Sequence, residues 1–144
     1  MDLFIKILLV VGTFFFMEGV AWFTHKYIMH GFLWSWHRSH HKVHGHALEM
    51  NDLFALVFSI PSFLTIYLGS GTWIMYVGFG ILGYGIFYFI FHDIIVHRRI
   101  KIPFKAKSQY MKRIMKAHYV HHEKHSKEGG EAFGFLYAPK KYSK

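Results

Sequence analysis

The sequence predicts an all-α, polytopic membrane protein with about three transmembrane helices and a cytoplasmic, histidine-rich helical cap. Composition is the first reason: the 144 residues are 53% hydrophobic and 20% aromatic, more apolar surface than one small water-soluble core can hide. Long apolar stretches at Leu3–Phe23, Leu53–Leu68 and residues 73–91 take up that excess. The 13 histidines gather outside them, in the polar segments 24–52 and 93–144 or at the helix end leading into the second. The length leaves room for a single membrane-embedded domain, residues 1–144.

The first stretch reaches the roughly 20 residues that a spanning helix needs. It has one early lysine, no small-residue cleavage pattern, and runs straight into His25, so it reads as a retained helix and not a secretory leader. The second is shorter and contains Pro61, which a span tolerates when neighbours satisfy the freed backbone groups. Gly69-Ser70-Gly71-Thr72 separates it from the third and reads as a tight turn, making the two a helical hairpin. The run from His37 to His46 reads as helical at first and looser after Gly45, and Glu49-Met50-Asn51-Asp52 as a cap for the second span. Residues 105–125 carry Tyr110, Met111, Ile114, Met115 and Tyr119 at helical spacing. A basic amphipathic helix is expected there, lying either on the membrane surface or against the protein's own core.

Charge sets the orientation. Of 17 Lys and Arg, only Lys6 precedes the end of the first helix and none lies in the hairpin turn, so 16 fall in the two histidine-bearing segments. The excess of basic residues places both segments in the cytoplasm and the N-terminus outside. A net charge of +9 would suit nucleic acid, but these residues flank membrane segments, so anionic membrane lipid is the expected partner and nucleic acid is not. The absence of cysteine excludes disulfides, thiolate ligands, iron–sulfur clusters and cysteine nucleophiles together.

A histidine pair five apart is followed by a trio, twice: His25/His30 then His37/His40/His41, and His92/His97 then His118/His121/His122. The doubling suggests two halves contributing equivalent ligand sets to one site. Members of a trio share one helix face, so each trio can hold one metal or bridge the space between two. Members of a pair point about 140° apart on an ideal helix, so either the helix loosens there or each serves a different metal. Two six-coordinate ions offer roughly twelve positions, and ten imidazoles leave about two for water or dioxygen, the stoichiometry of a working site. Neutral imidazole suits iron, zinc, copper and nickel alike. Asp52 and Asp93 are the candidate catalytic carboxylates, and with Glu49 and Glu123 they are candidates to balance the metal charge and orient imidazole N–H groups. His44, His46 and His125 lie outside the pattern and read mainly as surface residues. Glu18, two turns before His25 on the same face, is either a functional carboxylate or a hydrogen-bonded tie between helices. A transporter would place ligands near the bilayer midplane, and a haem protein needs isolated histidines on facing helices, so neither fits as well.

The H-x4-H, H-x2-HH, H-x4-H, H-x2-HH series resembles the fatty acid hydroxylase superfamily of membrane di-iron proteins. The surrounding words resemble its bacterial β-carotene 3-hydroxylase branch: His25-Lys26-Tyr27-Ile28-Met29-His30-Gly31, Trp36-His37-Arg38-Ser39-His40-His41, Glu49-Met50-Asn51-Asp52-Leu53, His92-Asp93-Ile94-Ile95-Val96-His97, His118-Tyr119-Val120-His121-His122 and Phe133-Gly134-Phe135-Leu136-Tyr137-Ala138-Pro139. One local departure is Ile94-Ile95, where a small residue would follow the aspartate. The resemblance implies two iron ions, replaceable by zinc in a purified sample, with dioxygen as co-substrate and a reduced carrier such as ferredoxin as electron donor. It further implies hydroxylation of the β-carotene rings to zeaxanthin by way of β-cryptoxanthin, at a bacterial inner membrane. A hydroxylase, ketolase or desaturase of another lipid in the same superfamily is the alternative. The topology is testable directly: reporter fusions after residue 70 and after residue 144 should report opposite sides of the membrane, and the same side for both would refute three spans.

Overall fold

The computed structural model describes residues 1–42 and 48–143, so the expected loosening after Gly45, and His44 and His46, lie outside the described residues. All regular structure among those described is helical. Helix α1 (Leu3–Phe23) continues without a break into a π-wound segment, Thr24–Phe32, in which the backbone leaves helical angles only at Gly31. A short α2 (Trp34–His37) follows, and its helix ends at His37, earlier than the sequence suggested, in turns closed by His40 N–H to the His37 carbonyl and Lys42 N–H to the Ser39 carbonyl. A 3-10 turn, Met50–Asp52, opens α3 (Leu53–Leu68), and α4 (Ile74–Tyr88) again runs on into a π-wound segment, Phe89–Val96. Helix α5 (Gln109–His122) is started by the Ser108 hydroxyl accepting from the Met111 N–H at 3.1 Å, and a 3-10 turn, Lys140–Ser143, ends the described chain.

Among the described residues, three helices are long and apolar enough to cross a membrane: Leu3–Phe32, Met50–Leu68 and Ile74–Val96. Thirty residues at a rise of about 1.5 Å reach about 45 Å, well beyond a hydrocarbon core of about 30 Å. The first candidate span is therefore long enough for its π-wound end to lie beyond an apolar layer of that thickness. The spans show their outer faces, Phe4, Phe16, Phe63 and Leu68 among them, where lipid would cover them. Helices α1 and α3 both pack on α4. Close approach is possible because α4 presents glycine at both seams: a Cβ on Gly78 would lie 2.6 Å from Ile66 and Thr65 of α3, and one on Gly80 would lie 2.5 Å from Thr13 of α1. Ser62 locks the first seam by donating to the Gly78 carbonyl at 3.0 Å. Pro61 sits inside α3, and the Thr65 hydroxyl donates to its carbonyl at 2.8 Å.

The amphipathic helix packs on the protein's own core. Ile114 and Ala117 of α5 are buried with Phe91, Val96, Phe135, Ala138 and Tyr142, so α5 and the C-terminal segment together seal the end of α4. Glu18 resolves as a tie. Its carboxylate accepts from the Tyr84 hydroxyl at 2.8 Å and from the N–H groups of Phe135 and Leu136 at 2.6 and 2.7 Å, pinning the C-terminal segment to α1 and α4 at once. Glu18→Ala should strand those donors at a cost of about 1–3 kcal/mol each if they stay buried without partners. The expected outcome is a lowered thermal midpoint in detergent, with Glu18→Gln losing less.

Candidate metal centre

The ten patterned histidines come together at one end of the bundle as two buried groups of five. Cluster A is His25, His30, His37, His41 and His121; cluster B is His40, His92, His97, His118 and His122. Within each cluster one ring nitrogen per histidine lies within 4.8 Å of all the others. The π winding is what makes both pairs usable. It closes hydrogen bonds from residue i to i+5, as in His97 N–H to the His92 carbonyl at 2.8 Å and Leu33 N–H to the Ile28 carbonyl at 3.0 Å, so residues five apart come to one side. Ring centroids of His25 and His30 are 5.3 Å apart and those of His92 and His97 are 4.4 Å apart. Of the two alternatives the spacing left open, the helix loosens and each pair serves a single cluster.

The trios divide between the clusters. His37 and His41 join A while His40 joins B; His118 and His122 join B while His121 joins A. Each cluster thus takes four histidines from its own half of the chain and one from the other half. The rings of His41 and His122 stack across the boundary with centroids 4.6 Å apart.

Hydrogen bonding decides which nitrogens face inward. His25 Nδ1 donates to the Phe133 carbonyl at 3.0 Å, His30 Nδ1 to the Lys127 carbonyl at 3.1 Å, and His121 Nδ1 to the Glu131 carbonyl at 2.8 Å. A carbonyl only accepts, so each of these Nδ1 atoms carries the proton and each Nε2 a lone pair. Yet His30 Nε2 and His121 Nε2 face each other at 3.2 Å, and His25 Nε2 lies 3.0 Å from His37 Nε2. In cluster B, His40 and His92 meet through Nε2 at 2.9 Å and His97 and His118 at 2.8 Å. Lone pairs buried face to face repel unless a cation lies among them. Ligands set at right angles about 2.1 Å from a six-coordinate ion sit about 3.0 Å apart, the spacing observed. His122 Nε2 is also buried and without a hydrogen-bond partner. These residues fit a di-metal site.

Burial first, and neighbouring charge second, push the imidazoles of His41 and His97 down to about 4 and that of His121 to about 3. Charging a group taken out of water is costly, so the rings stay neutral at neutral pH and their lone pairs remain available to an ion.

The other carboxylates are placed as follows. Glu49 reaches His40 Nδ1 at 3.3 Å, and Asp93 Oδ2 lies 3.5 Å from His92 Nδ1. Asp52 accepts from the Glu49 N–H at 2.8 Å and pairs with Arg99 at 2.7 Å. Its neighbour Asn51 holds an imidazole, with His37 Nδ1 2.7 Å from Asn51 Oδ1. Glu123, expected near the metals, is exposed at the end of α5, and so is His125. Sequence reasoning missed Arg99, although two arginines directly after His97 were a signal. It also missed Phe133 and Phe135, which pack on cluster A (His25, His30, His121) and on cluster B (His92, His118) respectively.

Below the clusters lies a cavity of about 390 Å3 between α1, α3 and α4. Its walls are apolar, with Met17, Phe54, Phe58 and Ile81 among them, and its roof is formed by His25 of cluster A, His92 of cluster B, Asn51, Asp52 and Asp93.

Such a molecule is an all-helical protein with three candidate membrane spans and two adjoining histidine clusters consistent with a di-metal site. Residues 10–138 match the fatty acid hydroxylase family, and the chain belongs to that family. Relatives include a beta-carotene hydroxylase of Pantoea ananas, 48% identical over 134 residues that make up 92% of this chain and 77% of the relative. One of Pseudescherichia vulneris is 43% identical over 135 residues with the same coverage. A chloroplastic beta-carotene 3-hydroxylase of Arabidopsis thaliana is 32% identical over 97% of this chain and 48% of its own length. No solved structure matches the chain.

The split of the trios makes a specific expectation for metal content. His30→Ala should weaken an ion in cluster A and spare the one in B, and His97→Ala the reverse, each protein retaining about one ion where the unaltered chain retains two, as read by elemental analysis after chelator dialysis.

Proposed function

We propose that the protein hydroxylates C3 of the β-ionone rings of β-carotene, giving zeaxanthin by way of β-cryptoxanthin. The single observation that carries this reading is the apolar cavity that ends on one histidine of each cluster. His25, His30, His37, His41 and His121 would hold one iron and His40, His92, His97, His118 and His122 the other. Bound iron supplies the activation of dioxygen that an unactivated carbon–hydrogen bond requires; zinc fits the same imidazoles in a purified sample. Each hydroxylation consumes dioxygen, two electrons and two protons, placing one oxygen atom in the product and one in water.

The chain's own residues supply placement. From Asp52 at the roof to Ser62 deep in the wall, ten helical residues span about 15 Å, half of a hydrocarbon core of about 30 Å. A carotene is a rod of roughly that full thickness, so the cavity admits one end and the other stays among lipid. Its two rings then react in separate entries, which makes the singly hydroxylated carotenoid an obligate intermediate. Asp52 and Asp93, the carboxylates at the roof, would pass the protons consumed. The electrons come from a reduced carrier such as ferredoxin, and an acidic carrier would be drawn to the exposed Lys105, Lys107 and Lys112. In this reading the histidine-bearing end faces the cytoplasm of a bacterial cell.

Expression in bacteria that accumulate β-carotene should convert it to zeaxanthin, with β-cryptoxanthin rising first. Unchanged carotene beside membranes holding the iron-loaded protein would overturn the proposal, and keto or desaturated products would assign the sister reactions. Gly85 lines the cavity, and a Cβ there meets nothing within 4 Å. Gly85→Leu should therefore obstruct ring entry and cut turnover at least tenfold, about 1.4 kcal/mol in the barrier, at unchanged metal content.

A further inference from the structure

The two clusters are braced by different chemistry. In cluster A the Nδ1 atoms of His25, His30, His121 and His37 are held by neutral partners: the carbonyls of Phe133, Lys127 and Glu131, and Asn51. Those beside cluster B are carboxylates, Glu49 at His40 and Asp93 at His92. One guanidinium gathers them. Arg99 Nε lies 3.3 Å from Asp93 Oδ1, Nη1 2.7 Å from Asp52 Oδ1, and Nη2 3.4 Å from Glu49 Oε1, the last a charge contact longer than a good hydrogen bond. Each carboxylate divides its oxygens. Glu49 sets Oε1 near Arg99 Nη2 and accepts from His40 at Oε2; Asp93 turns Oδ1 toward Arg99 while Oδ2 stands 3.5 Å from His92 Nδ1, a charge contact without a hydrogen bond; Asp52 gives Oδ1 to Arg99 and Oδ2 to the Glu49 N–H.

The geometry depends on where Arg99 starts. Arg98, at φ 54°, turns the chain back on itself directly after His97, and the Arg99 N–H donates to the Asp93 carbonyl at 2.9 Å. The side chain is thereby sent toward residues 49–52 on the far side of the cluster. A guanidinium presents donors in several directions from one plane, whereas an ammonium is a point charge. Among the described residues these three carboxylates share the one guanidinium, and a carboxylate on the far nitrogen of a ligand imidazole, as Glu49 is at His40, raises that ligand's basicity.

We infer that Arg99 is a positioning residue that organises Glu49, Asp52 and Asp93 around cluster B, so that cluster B holds its ion more tightly than cluster A. This rests on reading the clusters as metal sites. The test uses the full chain in detergent, loaded anaerobically with ferrous iron and dialysed against graded concentrations of a ferrous chelator, with iron per chain as the readout. His30→Ala leaves cluster B intact and His97→Ala leaves cluster A intact. Before any change at Arg99, the ion retained by the His30→Ala protein should withstand more chelator than the one retained by the His97→Ala protein.

Adding Arg99→Gln to the His30→Ala protein should weaken the remaining ion about 10–100-fold, the usual cost of losing a partner that orients a ligand. Adding it to the His97→Ala protein should leave the remaining ion's retention unchanged, and Arg99→Lys should fall between Gln and the native residue. Should Arg99→Gln fail to fold, judged by elution profile and helix content, Glu49→Gln keeps the arginine and is expected to weaken the ion in the same direction in the His30→Ala background. Equal weakening in both backgrounds, or none in either, overturns the inference. An unaltered chain that binds no iron would instead refute the metal reading itself.

Discussion

Ten imidazole lone pairs buried against one another are the feature that the rest of the molecule is arranged around. Such a set is unfavourable unless a cation occupies its centre, and it stays oriented only if the opposite nitrogen of the rings is engaged. Much of the irregular chain serves that engagement. The segment after Gly129-Gly130 lends the Glu131 and Phe133 carbonyls, the turn before it lends that of Lys127, and the residues before α3 lend Asn51 and Glu49. Backbone carbonyls accept without ever donating, so they hold a histidine in one tautomer more strictly than a hydroxyl could.

Two local devices make the convergence possible. π winding at the ends of the first and third spans turns a five-residue spacing, awkward on an ordinary helix, into a pair that shares one side. The exchange of His40 and His121 between clusters then stitches the two halves of the chain together. Neither cluster can assemble from one half alone, so the bundle end, α2 and α5 must dock together for either to exist.

The membrane part of the fold delivers the cavity to this centre. Because α1 and α3 both lean on the glycine seams of α4, a cleft remains between them, and its roof is the underside of the clusters. Glu18 braces this arrangement from within the first span. A carboxylate there is costly, and three donors offset the cost while anchoring the segment that carries Phe133 and Phe135 against the two clusters.

The sequence alone determined the three apolar spans, the hairpin, the ten histidines and their grouping on one side, because hydropathy and residue spacing are local quantities that need no partner. The family was legible for the same reason, through short words such as Trp36-His37-Arg38-Ser39-His40-His41. What only the tertiary structure decided was allocation: that His40 and His121 cross between clusters, that α5 turns its apolar face to the core, and that Glu18 ties helices. Arg99 is the sharpest case. Its partners stand 6, 47 and 50 positions away in the chain at Asp93, Asp52 and Glu49, and no local pattern ties an arginine to carboxylates that only folding brings within reach. Long-range pairing of charge and hydrogen bonds depends on how helices dock, and docking is set by shape at seams such as Gly78 and Gly80, which periodicity does not encode.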